Sequence, residues 1–135
     1  MNTILHLKKD ALSGASFYEK DGVLLREITI PEGVLSIGNG CFAGCSHLQE
    51  VHLPDSLQQI GMEAFMNCTS LERIVVPEGI RTLRRSVFSG CTSLKEVILP
   101  ESLRESDEWA FRGCISLKQL RIPDGVTEIC AEAFL

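Results

Sequence analysis

Phenylalanine recurs every 23 residues, at Phe42, Phe65, Phe88, Phe111 and Phe134, and proline keeps the same interval at Pro31, Pro54, Pro77, Pro100 and Pro123. These are all five prolines and five of the six phenylalanines in the chain. A leucine series shares the period: Leu25, Leu48, Leu71, Leu94 and Leu117. Three residue types on one comb make the chain an array of a repeated unit, and periods of about 20–50 residues belong to solenoids, propellers and arrays. Such arrays stack neighbour on neighbour and supply surfaces rather than active sites, so the period fixes the architecture and leaves the function nearly open.

Counted from its leucine, the unit reads L-x-x-[IVL]-x-[ILV]-P-[DE]-[GS]-[ILV]-x-x-[IL]-x-x-x-[AVC]-F-x-[GN]-C-x-S. The first six positions alternate apolar and polar, as in Ile28-Thr29-Ile30 and Val51-His52-Leu53, which predicts a half-buried strand. Proline stops the strand because it has no N–H for the ladder, and the acid and Gly or Ser after it are turn chemistry. A second apolar pair follows: Val34/Ile37, Leu57/Ile60, Ile80/Leu83 and Val126/Ile129. Its spacing fits either a short bent strand or a turn of helix, and periodicity does not choose. The Ala-Phe step points inward from an expected short helical turn. Gly44, Asn67, Gly90 and Gly113 are expected to close that turn in the left-handed conformation.

The runs Ile30-Pro31-Glu32-Gly33-Val34 and Ala64-Phe65-Met66-Asn67-Cys68-Thr69-Ser70-Leu71 resemble the BspA-type leucine-rich repeat. The resemblance covers residues 25–135, with units starting at 25, 48, 71, 94 and 117 and the last incomplete. It implies a strand-rich α/β repeat solenoid: a right-handed leucine-rich-repeat superhelix with a parallel β-sheet along one face and short helical turns. It also implies adhesion or protein interaction at microbial surfaces, with no catalytic motif.

Residues 1–24 are expected to form an N-terminal cap or degenerate repeat. Leu5 and Leu7 fall in the strand's inward slots, while Phe17-Tyr18 and Asp21-Gly22-Val23-Leu24 suit a hairpin covering the first unit. At the other end, Ile129, Ala133 and Phe134 have no following unit in the sequence, and a strand near Leu120–Ile122 is expected to be an open edge. Self-association through this end, or fraying of the last unit in a monomer, is the expectation.

Net charge of −5 disfavours nucleic acid and anionic membranes as partners, and no apolar run approaches the ~18 residues of a membrane span. Lys8 and Lys9 follow Ile4-Leu5-His6-Leu7, the reverse of a secretory signal's order, so no signal peptide is expected. The resemblance favours a cell-surface or secreted location for a longer form.

Cys45, Cys68, Cys91 and Cys114 keep the repeat period, with Cys41 and Cys130 outside it. A straight ladder of ~4.8 Å steps cannot bring four sulfurs around one zinc ion, and parallel Cβ vectors suit disulfides poorly, so buried thiols are expected. Glu32, Asp55, Glu78, Glu101 and Asp124 form an acidic ladder, read as solvated turn residues rather than a calcium column. His6, His47 and His52 have no metal-binding spacing, and no nucleophile or phosphate-loop motif is present. No catalytic residue, metal site or cofactor is expected.

The variable strand positions remain. The fifth position reads Thr29, His52, Val75, Ile98 and Arg121; the third reads Glu27, Glu50, Arg73, Glu96 and Gln119. These ten are the expected partner-binding residues, facing outward, with Val75 and Ile98 as an apolar spot. Ser106 breaks the inward column of Ile37, Ile60, Leu83 and Ile129, and Trp109 stands three residues later. Trp109 either fills the gap or is exposed as an interface aromatic. The expected function is a protein-interaction or adhesion module binding an unidentified protein. The alternatives are a structural spacer array and, lacking any residues for it, an enzyme.

Overall fold

The computed structural model describes residues 26–130 and 132–134, with the backbone of four short strands before them, Ile4–His6, Ala11–Leu12, Glu19–Lys20 and Val23–Leu24. The expectations placed on Leu7, Phe17, Tyr18, Asp21, Gly22, Leu25 and Leu135, and on the side chain of Leu5, lie outside the described residues.

The alternating segment of each unit is a three-residue strand. Ile4–His6, Glu27–Thr29, Glu50–His52, Arg73–Val75 and Glu96–Ile98 lie side by side in that order, all parallel. Register keeps like positions opposite, so Ile28 meets Val51 and Ile74 meets Val97. In the four strands from Glu27–Thr29 to Glu96–Ile98 the middle residue is buried and its neighbours face outward, as period-two alternation dictates. In the N-terminal segment, Ile4–His6 continues this sheet in register, and Glu19–Lys20 pairs antiparallel with Val23–Leu24.

The second apolar pair is also a strand, of two residues. These strands form two separate parallel ribbons. One holds Ala11–Leu12, Ser36–Ile37 and Gln59–Ile60; the other holds Thr82–Leu83, Glu105–Ser106 and Glu128–Ile129.

The expected helical turn does not form: the described residues contain no helix. The reason lies in two left-handed residues per unit. Gly44, Asn67, Gly90 and Gly113 have φ between 60° and 78°, as expected for the closing position. Four residues earlier, Gly40, Glu63, Ser86 and Trp109 are left-handed too, with φ between 55° and 64°. A right-handed helix cannot run through such residues. Instead, successive N–H groups alternate in direction. Ala64, Met66 and Cys68 donate three residues back in their own coil, while Glu63, Phe65 and Asn67 donate to Arg85, Val87 and Ser89 of the next coil. The turn is therefore a ladder between coils.

The core lies between sheet and turn ladder. Leu48, Leu71 and Leu94 are fully buried, and the five phenylalanine rings stack with centroids 5.3–5.9 Å apart. The fifth unit departs from expectation. Residues 117–122 form no strand, so the edge of the sheet is Glu96–Ile98 and not a strand near Leu120–Ile122. Leu117 and Leu120 are only half-buried there, and Ile122, Ile129 and Phe134 are exposed. Their apolar side chains have core on one side only, which leaves little to fix the strand.

Candidate functional site

The outward sheet positions come together as two adjacent columns. Glu27, Glu50, Arg73 and Glu96 form one; Thr29, His52, Val75 and Ile98 form the other. Glu27 and Thr29 are partly covered and the other six are exposed. Val75 and Ile98 sit directly opposite one another in the register, 55% and 50% exposed. Gln119 and Arg121 are exposed beyond the last strand, and Arg121 Nη1 donates to Glu101 Oε1 at 2.8 Å.

Glu27, Glu50 and His52 bring two carboxylates and an imidazole within 4.8 Å of one another. His52 Nε2 is 3.6 Å from Glu50 Oε2. Linear spacing hides this group, because its members lie 23 and 2 residues apart; aligning the repeats in columns would reveal it.

The acidic ladder divides by partner. Glu32 accepts from the backbone N–H groups of Asp55 and Ser56 at 2.9 and 3.3 Å, and Glu78 accepts from Glu101 and Ser102 at 3.0 and 3.2 Å. Ser56 Oγ donates to Val34 O and accepts from Gly33 N–H, and Ser102 repeats both bonds with Ile80 and Gly79. These residues clamp one coil to the next and do not form an open column of carboxylates.

The periodic cysteines form a column, buried at Cys45, Cys68 and Cys91 and half-buried at Cys114, with a hydrogen-bonding role. The thiols of Cys68, Cys91 and Cys114 donate to the carbonyls of Phe42, Phe65 and Phe88, each one coil back, at 3.1–3.2 Å. Burial pushes the Cys41 and Cys91 thiols up to about 12 and Cys114 to about 11, with Cys45 adding to the effect on Cys41 and Cys114 to that on Cys91. A hydrogen bond with Cys45, then burial, raises Cys68 as well. Thiols held neutral in this way are poor nucleophiles and poor metal ligands.

Trp109 does not fill the space beside Ser106. It is half-buried on the turn ladder, where Nε1 donates to Glu132 Oε2 at 2.7 Å and the Arg112 guanidinium lies 5.5 Å from the ring centre. Ser106 is buried, its hydroxyl has no hydrogen-bond partner among the described residues, and it borders a small space lined by Leu83, Leu103, Phe111, Val126 and Ile129.

The sequence profile of the BspA type leucine rich repeat region matches residues 12–135 in six copies, one more than the five units read from the leucine series. No curated protein matches. Among solved structures, a leucine-rich repeat protein from Bacteroides ovatus is 38% identical over 80% of this chain and 30% of its own, with a TM-score of 0.77. One from Eubacterium ventriosum is 28% identical over 82% of this chain and 31% of its own, with a TM-score of 0.75. A leucine rich cell surface protein from Faecalibacterium prausnitzii is 31% identical over 78% of this chain and 35% of its own, with a TM-score of 0.57. The chain thus spans about a third of the length of each.

Proposed function

Because the chain belongs to the BspA-type leucine-rich repeat family, we propose that it is an interaction or adhesion module that presents the outer face of its parallel sheet to another protein at a bacterial surface. The repeat fold is typically a non-enzymatic scaffold, and one of the solved structures similar to this chain is that of a leucine rich cell surface protein. The observation that carries the choice of face is the pair Val75 and Ile98. They are adjacent, half-exposed and apolar on a surface that is otherwise charged or polar. An apolar centre with a polar rim is the anatomy of a contact site.

The rim indicates the partner's chemistry. Glu50 and Glu96 flank Arg73 in the column beside the pair, and the nearby Glu101 is already paired with Arg121, so two acids face one base on the sheet itself. A segment combining apolar and basic side chains complements this face. The test is a binding screen against arrayed peptides of that composition, comparing the parent with the double variant Val75→Asp, Ile98→Asp. The parent is expected to select such peptides. The double variant is expected to lose them with its denaturant midpoint unchanged, since substitutions at exposed positions rarely exceed about 0.5 kcal/mol. Equal binding by both proteins overturns the assignment of this face.

We also propose self-association through the apolar surface of Ile122, Ile129 and Phe134. Light scattering across a concentration series checks it: a constant monomer mass rules it out.

A further inference from the structure

The gap between the two short ribbons is a site in its own right. Within the first ribbon, Gln58 and Gly61 donate their N–H groups to the carbonyls of Leu35 and Ile37, both at 2.8 Å. Within the second, Arg104 and Asp107 donate to Arg81 and Leu83, again at 2.8 Å. The equivalent bonds between the ribbons would run from Arg81 to Gln58 and from Arg84 to Ile60, and among the described residues they do not form. A groove of about 460 Å³ opens there, lined mainly by Gln58, Gln59, Ile60, Arg81, Thr82 and Arg84.

The groove is chemically unusual for this chain. Acids outnumber bases by 18 to 13, yet neither Arg81 nor Arg84 has an acid within ion-pair distance or a side-chain hydrogen bond among the described residues. The nearest carboxylate by register, Glu105, accepts instead from Thr82 Oγ1 at 3.3 Å. One wall offers carbonyls at Gln58 and Ile60, and the other offers N–H groups at Arg81 and Arg84. The walls are too close for a strand to enter between them, since Glu63 N–H reaches Arg85 O at 2.9 Å and a Cβ on Gly79 would lie 3.1 Å from Leu57 O. Two guanidinium groups at the mouth suit a carboxylate on a peptide lying across it, because their planar forks pair with it through charge-assisted hydrogen bonds.

We propose that this seam binds a peptide segment bearing a carboxylate across its mouth, with Arg81 and Arg84 holding the acid in the groove that Gln58, Gln59 and Thr82 also line. The site lies away from the outer sheet face and takes the opposite charge, so its partner is distinct from the basic one proposed for that face.

Calorimetric titration of the full chain tests it, using a blocked five-residue peptide that alternates valine and glutamate and a matched peptide with glutamine. The glutamate peptide is expected to bind saturably at low salt, and the glutamine peptide at least tenfold more weakly. Arg81→Gln and Arg84→Gln are each expected to weaken the glutamate peptide about tenfold, the loss of one charge-assisted bond of roughly 1.4 kcal/mol. Arg85→Gln removes an exposed arginine outside the groove and is expected to change binding less than twofold. If Arg84→Gln disturbs folding, seen as a lowered denaturant midpoint, the exposed Arg81 decides alone. Absence of saturable binding, equal binding of the two peptides, or an equal loss in Arg85→Gln overturns the proposal. Displacement of the peptide by equimolar inorganic sulfate also overturns it, in favour of a simple anion site.

Discussion

Between the third and fourth units, Glu78 accepts two backbone N–H groups and Ser102 bridges Gly79 and Ile80, while all three strand residues pair, Arg73–Val75 with Glu96–Ile98. Between the second and third, that clamp is missing, a single residue pair joins the strands, and the second ribbon is broken. Both junctions stack phenylalanine on phenylalanine, at 5.7 and 5.9 Å, and both carry a thiol-to-carbonyl bond. The apolar columns obey the 23-residue period, whereas the polar clamps obey twice that period. The cause is the ninth position, which alternates Gly33, Ser56, Gly79, Ser102 and Gly125. Only serine has the hydroxyl that bridges to the preceding coil, and the preceding position must be a glycine, with φ of 101° at Gly33 and 108° at Gly79. The junction into the fifth unit, where Gly125 replaces serine, likewise lacks a clamp and has no strand pairing in the main sheet. Coils are thus clamped in pairs; the second and third units are held together mainly by core and turn ladder, while the fourth and fifth keep their ribbon pairing as well.

The largest effect is expected from the buried thiols, which lie in clamped and unclamped parts of the array alike. Cys41 and Cys91 have an ordinary value of 9.0 and are raised to about 12 in the fold. Between these values the folded chain keeps protons that the unfolded chain releases, so stability is complete below pH 9 and falls as pH rises toward 12. Each such thiol then costs roughly 1.4 kcal/mol per pH unit. Circular dichroism across this range should show cooperative unfolding, with the periodic cysteines reacting with thiol reagents only as structure is lost. Rapid labelling of Cys91 in folded protein at neutral pH contradicts its burial.

Phe88→Ala comes next, at about 3–5 kcal/mol, because it opens a cavity in the stack beside the unclamped junction. Hydrogen exchange should rise first in the amides of 81–84 and 63–67, on the two sides of the seam. Uniform loss of protection along the chain would mean that the seam is no weaker than the clamped junctions.

Ser102→Gly is expected to cost about 1–3 kcal/mol by leaving Gly79 N–H and Ile80 C=O without their partner. The converse, Gly79→Ser, is not expected to close the seam. Its φ of 108° disfavours any side chain, and the added Cβ would lie 3.1 Å from Leu57 O. Chemical denaturation of the two variants separates these outcomes; a more stable Gly79→Ser would break the explanation of the alternation.

Smallest is a gain from Ser106→Ile, about 1–2 kcal/mol, from removing an unpartnered buried hydroxyl and filling the space around it. The melting temperature should rise by a few degrees. No rise would mean that the space beside Leu103 and Val126 is too narrow for the side chain.

Much of this architecture is decided by nearest-neighbour chemistry, which a sequence displays. Alternation in Glu50-Val51-His52 fixes which side chain is inward, Pro54 fixes where the strand ends, and repetition places Phe65 over Phe42. The outward orientation of Val75 and Ile98 follows from the same alternation. The second left-handed position was hidden, because Gly40, Glu63, Ser86 and Trp109 share no side-chain chemistry. That conformation is imposed by hydrogen bonds to the adjacent coil, and it converted an expected helical turn into a ladder. The approach of Glu27 to His52, the unpartnered hydroxyl of Ser106 and the groove at Arg81 and Arg84 also depended on how one coil seats upon another. The sequence by itself determined the contents of each coil, because strand, turn and inward column are set by residues adjacent in the chain. Only the tertiary structure decided how firmly each coil grips the next, because that depends on pairs of polar groups 22–26 residues apart whose geometry must agree to within a few tenths of an ångström.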